Sequence, residues 1–171
     1  MKFPKEWYLQ DEVLIKRKGA SAVFHHSVIG LSKITPDRFT SFVGLKDKEA
    51  LGGMLYLTNY RLLFRSHFLN RARGTFSIFL PSIRDVRITS FGANRNITVD
   101  TDVFHFNYIV WGILSFIELI NEAIAATKKI KFDNDLRKAL LQERLDISSS
   151  VFLTEVNEAL TEDIKGKLRF L

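Results

Sequence analysis

Residues 52–66, Gly-Gly-Met-Leu-Tyr-Leu-Thr-Asn-Tyr-Arg-Leu-Leu-Phe-Arg-Ser, constrain the fold more than any other stretch of this chain. Leu55 and Leu57 recur at period two, Thr58-Asn59 supplies turn chemistry, and Leu62 to Phe64 resumes an apolar strand. That pattern is an antiparallel hairpin, with Leu55, Leu57, Leu63 and Phe64 expected to fill a core and Arg61 expected at the surface or in strand pairing.

Strand signals continue at 74–79, 83–91, 96–100 and 103–107, with corners at Gly92-Ala93-Asn94 and Asp100-Thr101-Asp102, where Gly, Asn and Asp tolerate tight-turn backbone. Upstream, 22–29 reads as a first strand, 30–49 as a polar excursion, and 1–19 as a short helix or irregular lead-in. Several short strands joined by turns argue for a closed or sandwiched β module. From Ile109 the period changes to 3.6, with Ile109, Ile113, Phe116, Ile117, Ile120, Ala123 and Ile124 on one stripe, so a helix is expected to take over there. Asp133 or Asn134 can cap a further helix over 135–145. Ser148-Ser149-Ser150 breaks that helix, and a last one from Val151 carries Phe152, Val156, Leu160, Ile164 and Leu168 at four-residue steps, a narrow seam that needs a partner.

Gly53, Leu55, Leu57, Thr58, Arg61, Leu62, Phe64 and Ser66 fall on a Gly-x-Leu-x-Leu-Thr-x-x-Arg-Leu-x-Phe-x-Ser pattern, and Phe76-Ser77-Ile78-Phe79-Leu80-Pro81-Ser82-Ile83 follows it. In these residues the chain resembles the GRAM family over about 12–127. The resemblance implies an α+β, pleckstrin-homology-like antiparallel barrel or sandwich of about seven strands, in which the helix plugs one open end. On this reading residues 1–127 form the GRAM-like domain with its lead-in, and 128–171 form a helical C-terminal extension.

Hydrophobic residues make up 46% of the 171 positions and 15 are phenylalanine, enough for a packed core. With no cysteine, neither a disulfide framework nor a thiolate metal site is available, which suits a reducing cytoplasm. Residues 108–126 are apolar enough to suggest a membrane span, but each of Glu118 and Glu122 at a bilayer centre would cost about 2.5–3.5 kcal/mol. An amphipathic helix explains the same letters. The acidic Glu6, Asp11 and Glu12 likewise interrupt the apolar run that a secretory signal requires.

A net charge of +6 favours anionic partners such as phospholipid head groups, phosphates or nucleic acid, and the expected ligand is anionic membrane lipid or phosphate groups. Two groups of cations are candidates for it. Arg61, Arg65, Arg71 and Arg73 lie on the second hairpin strand and its following loop, where guanidinium forks match phosphate oxygens, and Phe68 and Leu69 among them are candidates for membrane insertion. Lys16-Arg17-Lys18 forms the other patch. The segment from Ser21 to Asp37 lacks the spaced Lys/Arg signature of phosphoinositide-binding pleckstrin-homology domains. The adjacent His25-His26 cannot readily share one metal ion from a strand, and His67 and His105 have no pair of carboxylates at ligand spacing. Asp100 and Asp102 read as turn residues. Phe64, Phe76, Phe104 and Phe106 alternate as core residues rather than forming a stacking platform for nucleic acid. No residue pattern supports catalysis or a cofactor. The expectation is therefore a non-catalytic binding module, cytoplasmic and peripheral at an anionic membrane. Its alternative is a protein–protein adaptor or self-association module acting through the C-terminal seam.

Overall fold

The structure, a computed structural model, describes residues 8–9, 11–25, 48–67, 74–91, 94–102 and 104–128. Seven strands come first: β1 (Leu14–His25), β2 (Lys48–Thr58), β3 (Arg61–Ser66), β4 (Thr75–Phe79), β5 (Ile83–Phe91), β6 (Asn94–Thr101) and β7 (His105–Val110). Among the described residues one α-helix, α1 (Ile113–Thr127), follows them. All pairings are antiparallel, in the order β4-β3-β2-β1-β7-β6-β5.

That order dictates the curl. The two edge strands, β4 and β5, are consecutive in the chain and joined only by a 3-10 turn at Leu80–Ser82. Four Cα steps span at most about 14 Å, so the sheet must bend until its edges nearly meet. The helix α1 packs on β5, β6 and the 3-10 turn. Its buried Ile113, Phe116, Ile120 and Ala123 join Leu55, Leu57, Leu62, Phe64, Phe76, Ile78, Val99, Phe106 and Tyr108 in one core. Within it the Phe76 ring stacks on Phe106 with centroids 5.3 Å apart and lies 5.4 Å from Phe64. A seven-stranded antiparallel sheet stoppered by a C-terminal helix is the pleckstrin-homology-like architecture that the sequence implies.

Several details differ from expectation. The first strand begins at Leu14 rather than Ala22, so Lys16, Arg17 and Lys18 pair with Leu57, Tyr56 and Leu55 of β2 instead of belonging to a lead-in. Ile109 belongs to β7, paired with Asn96 and Ser21, and the helix starts four residues later at Ile113. Gly112 separates the two, with φ 66°, a left-handed conformation that only glycine adopts without penalty. Finally, Leu63 points away from the main core. It alternates with Leu62 and Phe64, and is buried on the opposite face in a small cluster with Tyr56, Leu14 and Met54.

Candidate functional site

The corner between β2 and β3 is the most heavily bonded place in the described chain. Thr58 Oγ1 accepts the backbone N–H groups of Tyr60 (3.2 Å) and Arg61 (3.0 Å) and donates to Glu12 Oε1 at 2.7 Å. Glu12 Oε1 also accepts from Arg61 Nε at 2.7 Å. Its Oε2 accepts from Arg61 Nη2 and from the Leu9 N–H, each at 2.9 Å. Asn59 clamps the lead-in as well, through Val13 N to Asn59 Oδ1 (2.8 Å) and Asn59 Nδ2 to the Asp11 carbonyl (3.0 Å). From the other side, Thr127 Oγ1 at the end of α1 lies 2.7 Å from the Asn59 carbonyl, and the Leu80 N–H donates to Tyr60 O. Lead-in, hairpin, 3-10 turn and stopper helix therefore meet at one point.

This geometry removes Arg61 from the anion site. The residue is 1% exposed, forks onto Glu12 and reaches Ser77 Oγ at 3.3 Å, so its charge is spent inside the protein. Spacing correctly puts Arg61 on the same strand face as Arg65. Glu12, which covers only the first of them, lies 49 positions upstream. The other motif positions are structural too. Leu55, Leu57, Leu62 and Phe64 fill the core. Gly53 passes so close to β3 that a Cβ there would lie 2.3 Å from the Arg65 carbonyl oxygen. Ser66 bonds Gly74 through both backbone and side chain, closing the β3–β4 loop.

The basic run on β1 is split by the pleat. Cross-strand register sets Arg17 opposite Tyr56, and Arg65 opposite Met54, two residues from Tyr56 on the same face. Arg17 and Arg65 thus share the convex side of the sheet with a buried phenol between them. Burial raises the Tyr56 pKa above the usual tyrosine value of 10.0, while the Arg65 and Arg17 guanidinium charges pull it partly back. Lys16 and Lys18 point to the other side, where β1 runs past the end of its ladder with β7; that ladder stops at Ala20 and Val110. There Lys18 Nζ donates to the Trp111 carbonyl at 3.0 Å.

Of the remaining expected site residues, Phe68, Leu69, Arg71 and Arg73 lie outside the described residues. So do His26 and the C-terminal seam of Phe152, Val156, Leu160, Ile164 and Leu168, with the helices that carry it. The described chain ends at Lys128, one residue after the helix.

One polar group was not foreseen. Asp100 is a buried strand residue rather than a turn residue, and its Oδ1 lies 2.6 Å from His105 Nδ1 on the paired strand β7. Arg87 pairs with the same carboxylate and with Asp85 at 3.0 Å, and Arg84 pairs with Asp102. The five-residue separation of Asp100 and His105 across a hairpin carries the only sequence signal for this pair. Next to it Thr89, Thr98 and Asn107 form a ladder of 2.7 Å hydrogen bonds across three strands. Among the described residues there is no group of three or more His, Cys, Asp or Glu side chains that could hold a metal, and no helix is long and apolar enough to cross a membrane.

Neither a protein-family model nor a curated protein matches the chain. Solved structures do. A C-terminal domain of a Leishmania infantum protein of unknown function superposes with a TM-score of 0.39 and 17% identity, covering 69% of this chain and 86% of that one. The Vps36 N-terminal PH domain does so with a TM-score of 0.40 and 14% identity, covering 71% of this chain and 83% of its own.

Proposed function

We propose that this chain is a non-catalytic binding module that associates with an anionic phospholipid surface through the convex face of its first sheet half. The observation that carries the reading is the convergence of Arg17 and Arg65, from two different strands, around Tyr56. Arg71 and Arg73, in the loop that Ser66 and Gly74 close, extend the same charge in sequence. Arg61 is not part of this surface. The reading is non-catalytic because no residue pattern in the chain resembles a nucleophile elbow, a phosphate-cradling glycine loop or a zinc protease helix.

Co-sedimentation of the full chain with vesicles of neutral phosphatidylcholine, with and without phosphatidylserine, tests the proposal. Binding is expected only with the anionic lipid and is expected to fall with salt, because surface charges are screened within about 8–10 Å at physiological ionic strength. Each basic residue at such a surface contributes about 1 kcal/mol, so Arg17→Gln with Arg65→Gln is expected to weaken binding about thirtyfold. Equal binding to both vesicle types, or no effect of this pair and of Arg71→Glu with Arg73→Glu in turn, overturns it.

A further inference from the structure

The junction between β7 and α1 leaves a large apolar side chain in water where packing could have buried it. Trp111 is 89% exposed and Leu114 is 62% exposed, the highest values among the described large hydrophobic residues. The chain is turned outward there by Gly112, at φ 66°, and the turn is held by Lys18 Nζ on the Trp111 carbonyl and by Ser115 Oγ donating to the Gly112 carbonyl at 3.3 Å. A tryptophan displayed on a fixed turn is an anchor geometry, unlike one on an open loop.

The charge around it has one sign at one end. Lys18 touches the turn, and Lys16 stands on the same side of β1 two residues away. The first turn of α1 holds no acidic residue, and its start has no side-chain cap, so free backbone N–H groups add a partial positive charge. The first carboxylate is Glu118, one helical turn beyond Leu114 on the same side. An indole, a leucine and two lysines, followed by a glutamate one turn deeper, match the boundary between headgroups and acyl chains of an anionic bilayer. There indoles partition, ammonium groups meet phosphates, and a carboxylate stays in water. We infer that Trp111 and Leu114 form a shallow wedge that enters this boundary, with Lys16 and Lys18 on the adjacent headgroups and Glu118 limiting the depth to about one helical turn. The inference rests on the membrane reading above and assigns it a hydrophobic contact. Lys16 and Lys18 leave β1 on the side opposite Arg17, so it is the open edge of this strand, beyond the end of the β7 ladder, that would bring both to one bilayer.

The chain holds two tryptophans, so Trp7→Phe leaves Trp111 as the sole indole. In this variant, vesicles containing phosphatidylserine are expected to shift Trp111 emission to shorter wavelength, and brominated lipid of the same composition is expected to quench it. Phosphatidylcholine alone is expected to do neither. Trp111→Ala with Leu114→Ala is expected to weaken co-sedimentation about tenfold or more, with unchanged circular dichroism and melting because both side chains lie in water. Vesicles that bind the chain while Trp111 emission and quenching stay as in buffer overturn the wedge and leave the arginine face standing. The same pattern, joined to loss of a protein partner in the double variant, would assign the indole to a protein contact instead. Failure of the unaltered chain to sediment with anionic vesicles overturns both.

Discussion

Glu12→Gln should be the most damaging isosteric change in the chain. The carboxylate is fully buried and accepts four hydrogen bonds, two at each oxygen: Thr58 Oγ1 and Arg61 Nε at Oε1, and Leu9 N–H and Arg61 Nη2 at Oε2. An amide has one acceptor oxygen, so whichever way it turns, its NH2 group faces two donors and the Arg61 charge loses its counterion. Breaking a buried pair by removing one partner costs about 3–5 kcal/mol, against about 5–15 kcal/mol for the stability of a typical domain. With a urea slope of about 2 kcal/mol per molar, the midpoint should fall by about 2 M at unchanged slope. Urea melts followed by circular dichroism measure this. Glu12→Leu combined with Arg61→Met, which removes both charges together, is expected to cost less than either change alone, giving a coupling energy of about 2 kcal/mol or more. The double variant should also bind anionic vesicles like the unaltered chain. A cost below about 1 kcal/mol for Glu12→Gln, in the range of solvent-exposed pairs, would refute the buried lock. Loss of vesicle binding in a folded double variant would return Arg61 to the ligand site.

Gly53→Ala should destabilise the hairpin by about 2 kcal/mol or more, because the new methyl group meets the Arg65 carbonyl oxygen and the Phe64 ring, neither of which can move freely; thermal melts test it. Gly112→Ala should cost about 1–2 kcal/mol through the left-handed backbone alone, since the nearest atom to its new methyl group is the flexible end of Lys18, and Gly112→Asn should cost less. Tyr108 is fully buried with no hydrogen-bond partner for its hydroxyl among the described residues, so Tyr108→Phe should be neutral or stabilising by about 1 kcal/mol in a urea melt. Burial also holds the Tyr108 pKa well above 10.0. The folded state therefore keeps a proton that the unfolded chain releases, and stability is unaffected below pH 10 and falls as pH rises beyond it. Alkaline titration of phenolate absorbance in the folded protein should lose its latest, unfolding-linked step in Tyr108→Phe.

What could be read in the letters, and what could not, follows from how each element is bonded. The hairpin was legible because both of its strands are central, with apolar residues at alternate positions and Thr58-Asn59 between them. The extent of β5, although it is an edge strand, was legible from the turn residues beside it, Pro81-Ser82 before and Gly92-Ala93-Asn94 after. The first half of β1 was not, because a strand with a neighbour on only one side does not need apolar alternation. Lys16, Arg17 and Lys18 stand beyond the end of the β7 ladder while their backbone pairs with β2. The helix start was misplaced because Ile109 fits both periods at once: it continues the pleat of β7 and also lies four residues before Ile113. The breaker that decides the matter, Gly112, stands in plain sight, but its φ becomes visible only in three dimensions.

Arg61 was misread for a different reason. Period two places Arg61 and Arg65 on one face, and the structure keeps them there; it is the lead-in, folding Glu12 over the first, that makes Arg61 a structural arginine. A strand pattern determines which side a charge leaves the sheet, whereas its availability is set by whatever crosses that side, and those residues come from far away in the chain. The same logic runs in reverse at Trp111. Two positions off the Ile109–Ile113 stripe, the indole is held outward beside the left-handed turn at Gly112 and the Lys18 bond. The two residues are thus a cation that the fold withdraws from solvent and an indole that the fold displays to it. Exchanging the environments of the two would remove both the lock that holds the lead-in and the wedge that we assign to the membrane, which is why variants at Arg61 should be read out in stability and variants at Trp111 in binding.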